Sequence, residues 1–314
     1  PTMRYAHTAP LFSAKVNIPG VKLNPVPVAP VVYDDVPDLR DGSFGLCDLN
    51  IGYFLPALEA GWELVGIPVF AARRTPYGAL WCRTDRGIDS PTDLAGKSIA
   101  TRTYRTAFTI WMRGFLHHRH GVDTKAIRWV TQMNEFFPIY DEDILRDPGD
   151  NSRSHPLDAV QAGEIDAALA HPVPPRTFEA LENDAHVKRV FPSYVEEDRR
   201  LFNDTTIYPP IRVLVMSKKL DQQYPDLAAG IFDGFQRAKE MAYDDALNDR
   251  VQSPLLYARE LFIEQQHAWG DPFAYGIKAN RTAIDTFSRF NHEQGLIRAP
   301  LSDEQIFAAS TLAS

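Results

Sequence analysis

Pro91-Thr92-Asp93-Leu94-Ala95-Gly96-Lys97-Ser98-Ile99-Ala100-Thr101, continuing through Arg102-Thr103-Tyr104-Arg105-Thr106 and Trp111-Met112-Arg113-Gly114 to Gly121, is the stretch around which the chain is organised. It opens with an Asp-Leu-x-Gly-Lys turn that delivers a short β-favouring run, residues 98–101. A polar connector, 102–105, follows, and then apolar residues at Phe108, Trp111, Met112 and Phe115. Their spacing i, i+3, i+4, i+7 predicts one buried helical face, with Thr106 as the N-cap and Gly121 as the left-handed stop. A strand feeding a helix through a polar loop places that loop at the carboxyl edge of a sheet, where α/β proteins bind ligands. Arg102, Tyr104 and Arg105 stand there. Two guanidinium groups beside a helix N-terminus suit a carboxylate, because forked donors and the positive end of the dipole act on the same anion. A plain surface role for either arginine is the competing reading.

Around this stretch the composition is that of a globular protein large enough for two lobes: 314 residues, 44% apolar and 24% charged. With 33 basic against 41 acidic residues the formal charge is −8, which argues against a nucleic-acid surface and against anionic membranes. A small-molecule carboxylic acid is the expected partner, and self-association into a homo-oligomer is allowed. No apolar run approaches the roughly 18 residues that span a bilayer, and no charged segment followed by an apolar one opens the chain, so a cytoplasmic location is expected. Cys47 and Cys82 form neither a disulfide framework nor a metal site by spacing, and each reads as a core thiol.

Upstream, residues 2–6 read as a first strand ending at His7-Thr8, and residues 16–32, rich in proline and β-branched side chains, as an extended pair on one edge. Residues 44–50 form a buried strand carrying Asp48, with a helix over 52–60. Another apolar strand, 64–72, runs into Arg73-Arg74-Thr75-Pro76-Tyr77. Downstream, 127–131 is a short strand, 133–154 an irregular excursion, 155–162 a helix stopped by Gly163, and 165–170 a buried strand ending at His171. The run 203–216, with Tyr208 and Arg212, reads as a return crossing. Beyond Lys219 the pattern is helical, broken at Pro254 and at Gly270-Asp271-Pro272, the latter read as a packed turn. Alternating strands and helices in two sets predict an α/β fold of two lobes, 1–96 with 208–314 and 97–207, around a ligand cleft.

The strand ends define the candidate site. His7, Asp48, Arg73, Arg74, Tyr77, Arg102, Tyr104, Arg105, His171 and Arg212 gather there, and the surplus of arginine predicts an anionic, carboxylate-bearing ligand. His7 and His171 are placed for acid–base work near neutral pH; a buried histidine satisfied by a backbone carbonyl is the competing reading for each. Asp48 serves either as a proton carrier or as the partner of an arginine. His117, His118 and His120 lie in the last helical turn before Gly121, where the helix dipole accounts for them, and no metal is expected.

Several separated runs together resemble the 4,5-dihydroxyphthalate decarboxylase family. They are Tyr5 with Thr8, Pro10 and Leu11; Ile67-Pro68-Val69-Phe70; Asp93-Leu94-x-Gly96-Lys97; Trp111-x-Arg113-Gly114; Gly163-Glu164-Ile165-Asp166-Ala167; Tyr275-Gly276-Ile277 with Asn280-Arg281; Glu293-Gln294-Gly295-Leu296; and Ile306-Phe307-Ala308. The resemblance implies the two-lobed fold of type II periplasmic solute-binding proteins. It also implies cofactor-independent loss of carbon dioxide from a hydroxylated aromatic acid. On the reading of the strand ends, Arg73, Arg74, Arg102, Tyr104, Arg105, Tyr208 and Arg212 are expected around that substrate. The chain departs from the family pattern at two cleft histidines: Thr75-Pro76-Tyr77 stands for Phe-Arg-His, and Pro209-Pro210-Ile211-Arg212 for Pro-Ile-Met-His. Asp48 stands where a glutamate is common. A guanidinium is no acid near neutral pH, so His7, His171 or Tyr77 is left to supply the proton. A solute-binding protein for an aromatic or dicarboxylic acid is the alternative, since a receptor needs arginines but no acid.

Overall fold

The computed structural model describes residues 5–24, 39–144, 146–148, 155–170, 175–251 and 253–314. Among the described residues the strands are β1 (Leu46–Asn50), β2 (Leu64–Ile67), β3 (Leu80–Arg83), β4 (Ser98–Thr101), β5 (Arg128–Thr131), β6 (Arg146–Pro148), β7 (Ala167–Leu169), β8 (Val187–Arg189) and β9 (Arg212–Ser217). They form two sheets, ordered β1-β9-β2 and β6-β5-β4-β7-β3-β8. By internal contacts the chain divides into two units: Pro1–Arg73 with Pro210–Ile284 and Leu301–Ser314, and Arg74–Pro209 with Asp285–Pro300.

In the first unit β9 lies between β1 and β2, antiparallel to both. All six of its residues are buried, as a central strand covered on both faces requires. The helix Leu227–Leu247 lays Ala228, Ile231, Phe235 and Ala238 against Ile67, Val69, Leu214 and Met216. Each such aliphatic or aromatic side chain contributes about 1.5–3 kcal/mol on leaving water. At Gly234 an added Cβ would sit 2.4 Å from Ile18 Cγ1, so glycine is what lets the helix close on that side chain. The expected strand at residues 2–6 is replaced, where described, by a short 3-10 turn over Ala6–Thr8. Of the expected edge pair at 16–32, the described part shows only the bridge between Ile18 and Val21.

In the second unit β4, β5, β6 and β7 run parallel, while β3 is antiparallel to β7 and β8. The strand, loop and helix of the organising stretch are all present. Thr106 Oγ1 accepts from the Thr109 amide at the head of the helix Ala107–His120, and Gly121 ends it at φ 66°. Trp111 and Phe115 pack with Phe287 and Phe290, whose rings lie 5.1–6.1 Å away. Because β3 pairs with β7 and β8, the chain enters the second unit at Arg74, ahead of the expected boundary at 96. Residues 133–154, expected to be irregular, include β6. Among the described residues no helix is long and apolar enough to cross a membrane.

Candidate functional site

Antiparallel register builds the first part of the site. β1 and β9 pair Asn50 with Arg212 and Asp48 with Leu214, so Asp48 and Arg212 are diagonal neighbours on one face. Arg212 Nε donates to Asp48 Oδ2 at 3.1 Å, and Tyr5 Oη donates to the same oxygen at 2.6 Å. Asp48 is 4% exposed and Arg212 8%. Of the two readings of Asp48, this geometry is the arginine partner. Burial, followed by the Asp48 charge, raises the Tyr5 phenol above its ordinary range and keeps it a donor.

Arg73 follows β2 and bridges to Pro210 ahead of β9. Its Nη2 donates to the Ala274 carbonyl at 2.7 Å and to Asn280 Oδ1 at 2.5 Å. Asn280 in turn donates to the carbonyls of Ala274 and Gly276, which ties the loop 270–276 to this arginine. Lys239, buried on the helix Leu227–Leu247, donates to Asp271 Oδ2 at 2.5 Å and to the Phe273 carbonyl at 3.1 Å. Tyr243 Oη donates to the other Asp271 oxygen at 2.8 Å. A lysine is buried in this way only when its charge is matched.

His7 sits among these groups. Its ring stacks on Tyr5 at 5.6 Å and meets Phe273 at 4.8 Å and Tyr275 at 6.4 Å between centroids. Burial first, then the Lys239 charge, lower its pKa to about 4, so the imidazole is neutral at pH 7. One ring nitrogen bonds the backbone of Ala71, whereas Nε2 is buried with no hydrogen-bond partner among the described residues. The Tyr275 hydroxyl is in the same condition. Two such groups cost about 1–3 kcal/mol each, a cost met where function calls for it.

The second unit holds the remaining candidates. At the carboxyl end of β4, Arg105 is fully buried: Nε donates to Glu135 Oε2 at 2.7 Å, and Nη2 to the carbonyls of Phe137 and Pro138. The Tyr104 amide donates to the other Glu135 oxygen, and the Tyr104 ring lies 3.5 Å from Arg113 Cζ. Arg113 Nη1 donates to the Tyr104 carbonyl and Nε to Gln294 Oε1, and burial lowers its pKa to about 10. These contacts hold the 102–105 loop in its own conformation. Arg102 is exposed, its Nε 3.4 Å from Met133 Sδ. Arg74 is exposed and Tyr208 half-buried; the Arg74 amide donates to the Pro209 carbonyl.

Tyr77 lies away from that loop, with no exposed surface, packed with Phe115, Phe191 and His120, whose Nε2 is 3.3 Å from its hydroxyl. His118 pairs with Glu293, so the neighbouring histidines face different partners. His171 lies outside the described residues.

Thus Asp48, Arg212, His7 and Arg73 stand in one cluster of the first unit, and Tyr104 with Arg105 in another of the second. Tyr5, Lys239, Asp271 and Tyr275 join the first-unit cluster and were not among the expected residues. Tyr5 and Tyr275 did stand in the motif runs. Lys239 gave no signal, being one lysine on a helix, and Asp271 was read as a packed turn.

No family model matches the chain. A 4,5-dihydroxyphthalate decarboxylase from Comamonas testosteroni is 26% identical over 332 aligned positions, which cover 99% of this chain and 96% of that protein. A second protein of that name, from Pseudomonas putida, is 27% identical over 183 positions, 54% of this chain and 68% of the other. Among solved structures, a putative sulfonate ABC transporter's periplasmic sulfonate-binding protein from Methylobacillus flagellatus superposes with a TM-score of 0.58 at 14% identity, covering 98% of this chain and 88% of the other. The ligand-binding component of an ABC-type import system from Staphylococcus aureus gives 0.55 at 13% identity, with 98% and 95% covered. The resemblance drawn from the motifs is borne out: the chain has the α/β fold of the two-lobed periplasmic solute-binding proteins and is similar, over nearly its whole length, to 4,5-dihydroxyphthalate decarboxylase.

Proposed function

We propose that this chain is a cofactor-independent carboxy-lyase that removes carbon dioxide from a hydroxylated aromatic acid. The observation that carries this reading is the likeness to 4,5-dihydroxyphthalate decarboxylase over 99% of the chain. The chemistry asks for few groups. A ring hydroxyl gives up its proton and pushes electrons into the ring, and the carbon bearing the carboxylate takes up a proton. The bond to that carboxylate then breaks, its electron pair restores the aromatic ring, and carbon dioxide departs. The proton given up by the hydroxyl reaches the ring carbon, and the phenolate left on the product takes one from water. One carboxylate and one proton thus become one carbon–hydrogen bond and one carbon dioxide.

Arg212 and Arg73 take the carboxylate in this reading, and Asp48 fixes Arg212 through the shared bond with Tyr5. His7 handles the proton. Its neutral imidazole accepts from the hydroxyl, and the imidazolium so formed is the acid. Tyr77 and Arg105 are given supporting roles, because the first is enclosed by aromatic rings and the second by its own loop.

Carbon dioxide release measured across a panel of hydroxylated benzoates and phthalates tests the proposal. Turnover of at least one member is expected, with His7→Phe lowering kcat by about 10²–10⁴-fold. Arg212→Ala is expected to weaken binding. Tight binding without release across the panel would replace this reading by that of a solute-binding protein.

A further inference from the structure

Two neighbouring rings in the first unit each carry a buried polar atom without a hydrogen-bond partner among the described residues: His7 Nε2 and the Tyr275 hydroxyl. Both side chains are more than nine-tenths buried, at 9% and 6% exposure, and their rings are 6.4 Å apart, tilted by 52°. We propose that His7 and Tyr275 form a hydroxyl-recognition pair, the imidazole accepting and the phenol donating, which selects aromatic acids with a free ring hydroxyl over their methyl ethers. The choice of an aromatic acid as ligand rests on the decarboxylase reading; the pair itself rests on the geometry.

The donor and acceptor pattern decides the class. The other ring nitrogen of His7 is used by the Ala71 backbone carbonyl, which makes it the N–H and leaves Nε2 as a lone pair. Lys239, 4.7 Å from the Tyr275 centroid and bonded to Asp271 and the Phe273 carbonyl, acts with Arg73 against a proton on that imidazole; Asp271 acts for one. The Tyr5 ring also stacks on His7, its hydroxyl already committed to Asp48. A lone pair beside a phenolic donor is complementary to one group that both gives and accepts, an alcohol or phenol. A carboxylate would set its charge against the lone pair, and a methyl ether has no proton for it. When the hydroxyl ionises, the O–H bond breaks and the Nε2–H bond forms. The phenolate is then left facing Tyr275 and the two cations.

The loop 270–276 sets the pair. It runs between Gly270 and Gly276, both at positive φ, and Gly276 N donates to the Pro68 carbonyl, which fixes Tyr275 beside His7. At Gly276 an added Cβ would lie 3.2 Å from the Ser314 carbonyl carbon, so glycine is needed there on both counts.

The test is calorimetry with 4,5-dihydroxyphthalate and its 4,5-dimethoxy analogue, on the wild type and on Tyr275→Phe. It is joined to nitrogen-15 NMR of His7 titrated with phenol and with anisole. The expected result is that the dihydroxy acid binds at least about tenfold tighter than its ether, and that Tyr275→Phe, folded by circular dichroism, reduces the ratio to within about threefold. Phenol is expected to move the His7 Nε2 resonance, and anisole to leave it in place. Equal affinities in the wild type, an unchanged ratio in Tyr275→Phe, or a His7 resonance indifferent to phenol would each overturn the pair. Hydroxyl selectivity without carbon dioxide release would keep the pair and remove the decarboxylase reading. Turnover of the dihydroxy acid together with equal affinity for acid and ether would do the reverse.

Discussion

Arg212 shows how a residue can be legible in kind and not in duty. Its place on a return crossing beside a strand end marked it as facing a ligand, and the register with β1 then placed it against Asp48. Pairing distant strands fixes such neighbours, and a local pattern does not contain them. Arg105 is the opposite case: its loop was read from the sequence, but Glu135, thirty residues on, was not. At this scale the sharpest prediction concerns the buried pair. Arg212→Ala leaves the Asp48 carboxylate 4% exposed with only Tyr5 as a named donor, and is expected to cost about 3–5 kcal/mol in urea unfolding. Replacing both partners, Arg212→Met with Asp48→Leu, is expected to return most of that. A loss no larger than a surface substitution would show that the pair is not buried in solution.

The strand, loop and helix around Arg102 were the most legible element, because turn, cap, apolar stripe and glycine stop all agree within thirty residues. β3 was not read at all. Four residues, Leu80–Arg83, are too few for a period, and they are a strand only because β7 and β8 arrive on either side. Missing it moved the expected boundary to 96. The helix Ala107–His120 carries its own prediction at Gly114, where an added Cβ would lie 2.0 Å from the Phe290 ring. Phe290 is itself fully enclosed by Trp111, Phe115 and His118, so the ring has nowhere to turn. Gly114→Ala gains helix propensity of up to about 1 kcal/mol and loses more to overpacking. A net loss of about 1–3 kcal/mol in thermal or urea unfolding is expected; a gain would mean that Phe290 is free to move off the helix Ala107–His120.

Across the whole molecule, a buried and a half-buried titratable group lean in opposite directions, one in each unit. His7 in the first has its pKa lowered to about 4 by burial and the Lys239 charge. Asp198 in the second has its pKa raised to about 6 by burial, with Thr75 as its hydrogen-bond partner and Oδ1 without one among the described residues. Between pH 4 and 6.5 the unfolded chain holds a proton on His7 that the folded chain lacks, so this term raises stability with pH, by about 3 kcal/mol in all. Between pH 4 and 6 the folded chain holds a proton on Asp198 that the unfolded chain has lost. That term lowers stability with pH, by about 1–2 kcal/mol once partial exposure is discounted. Urea unfolding of wild type, His7→Phe and Asp198→Asn at half-unit steps from pH 4 to 7 separates the two. Relative to wild type, His7→Phe should be favoured increasingly as the pH falls below 6.5, and Asp198→Asn increasingly as it rises above 4. Parallel curves for all three proteins would mean that neither group is as buried in solution as in the fold described, and with His7 open to water the neutral acceptor that the proposed chemistry needs would be lost.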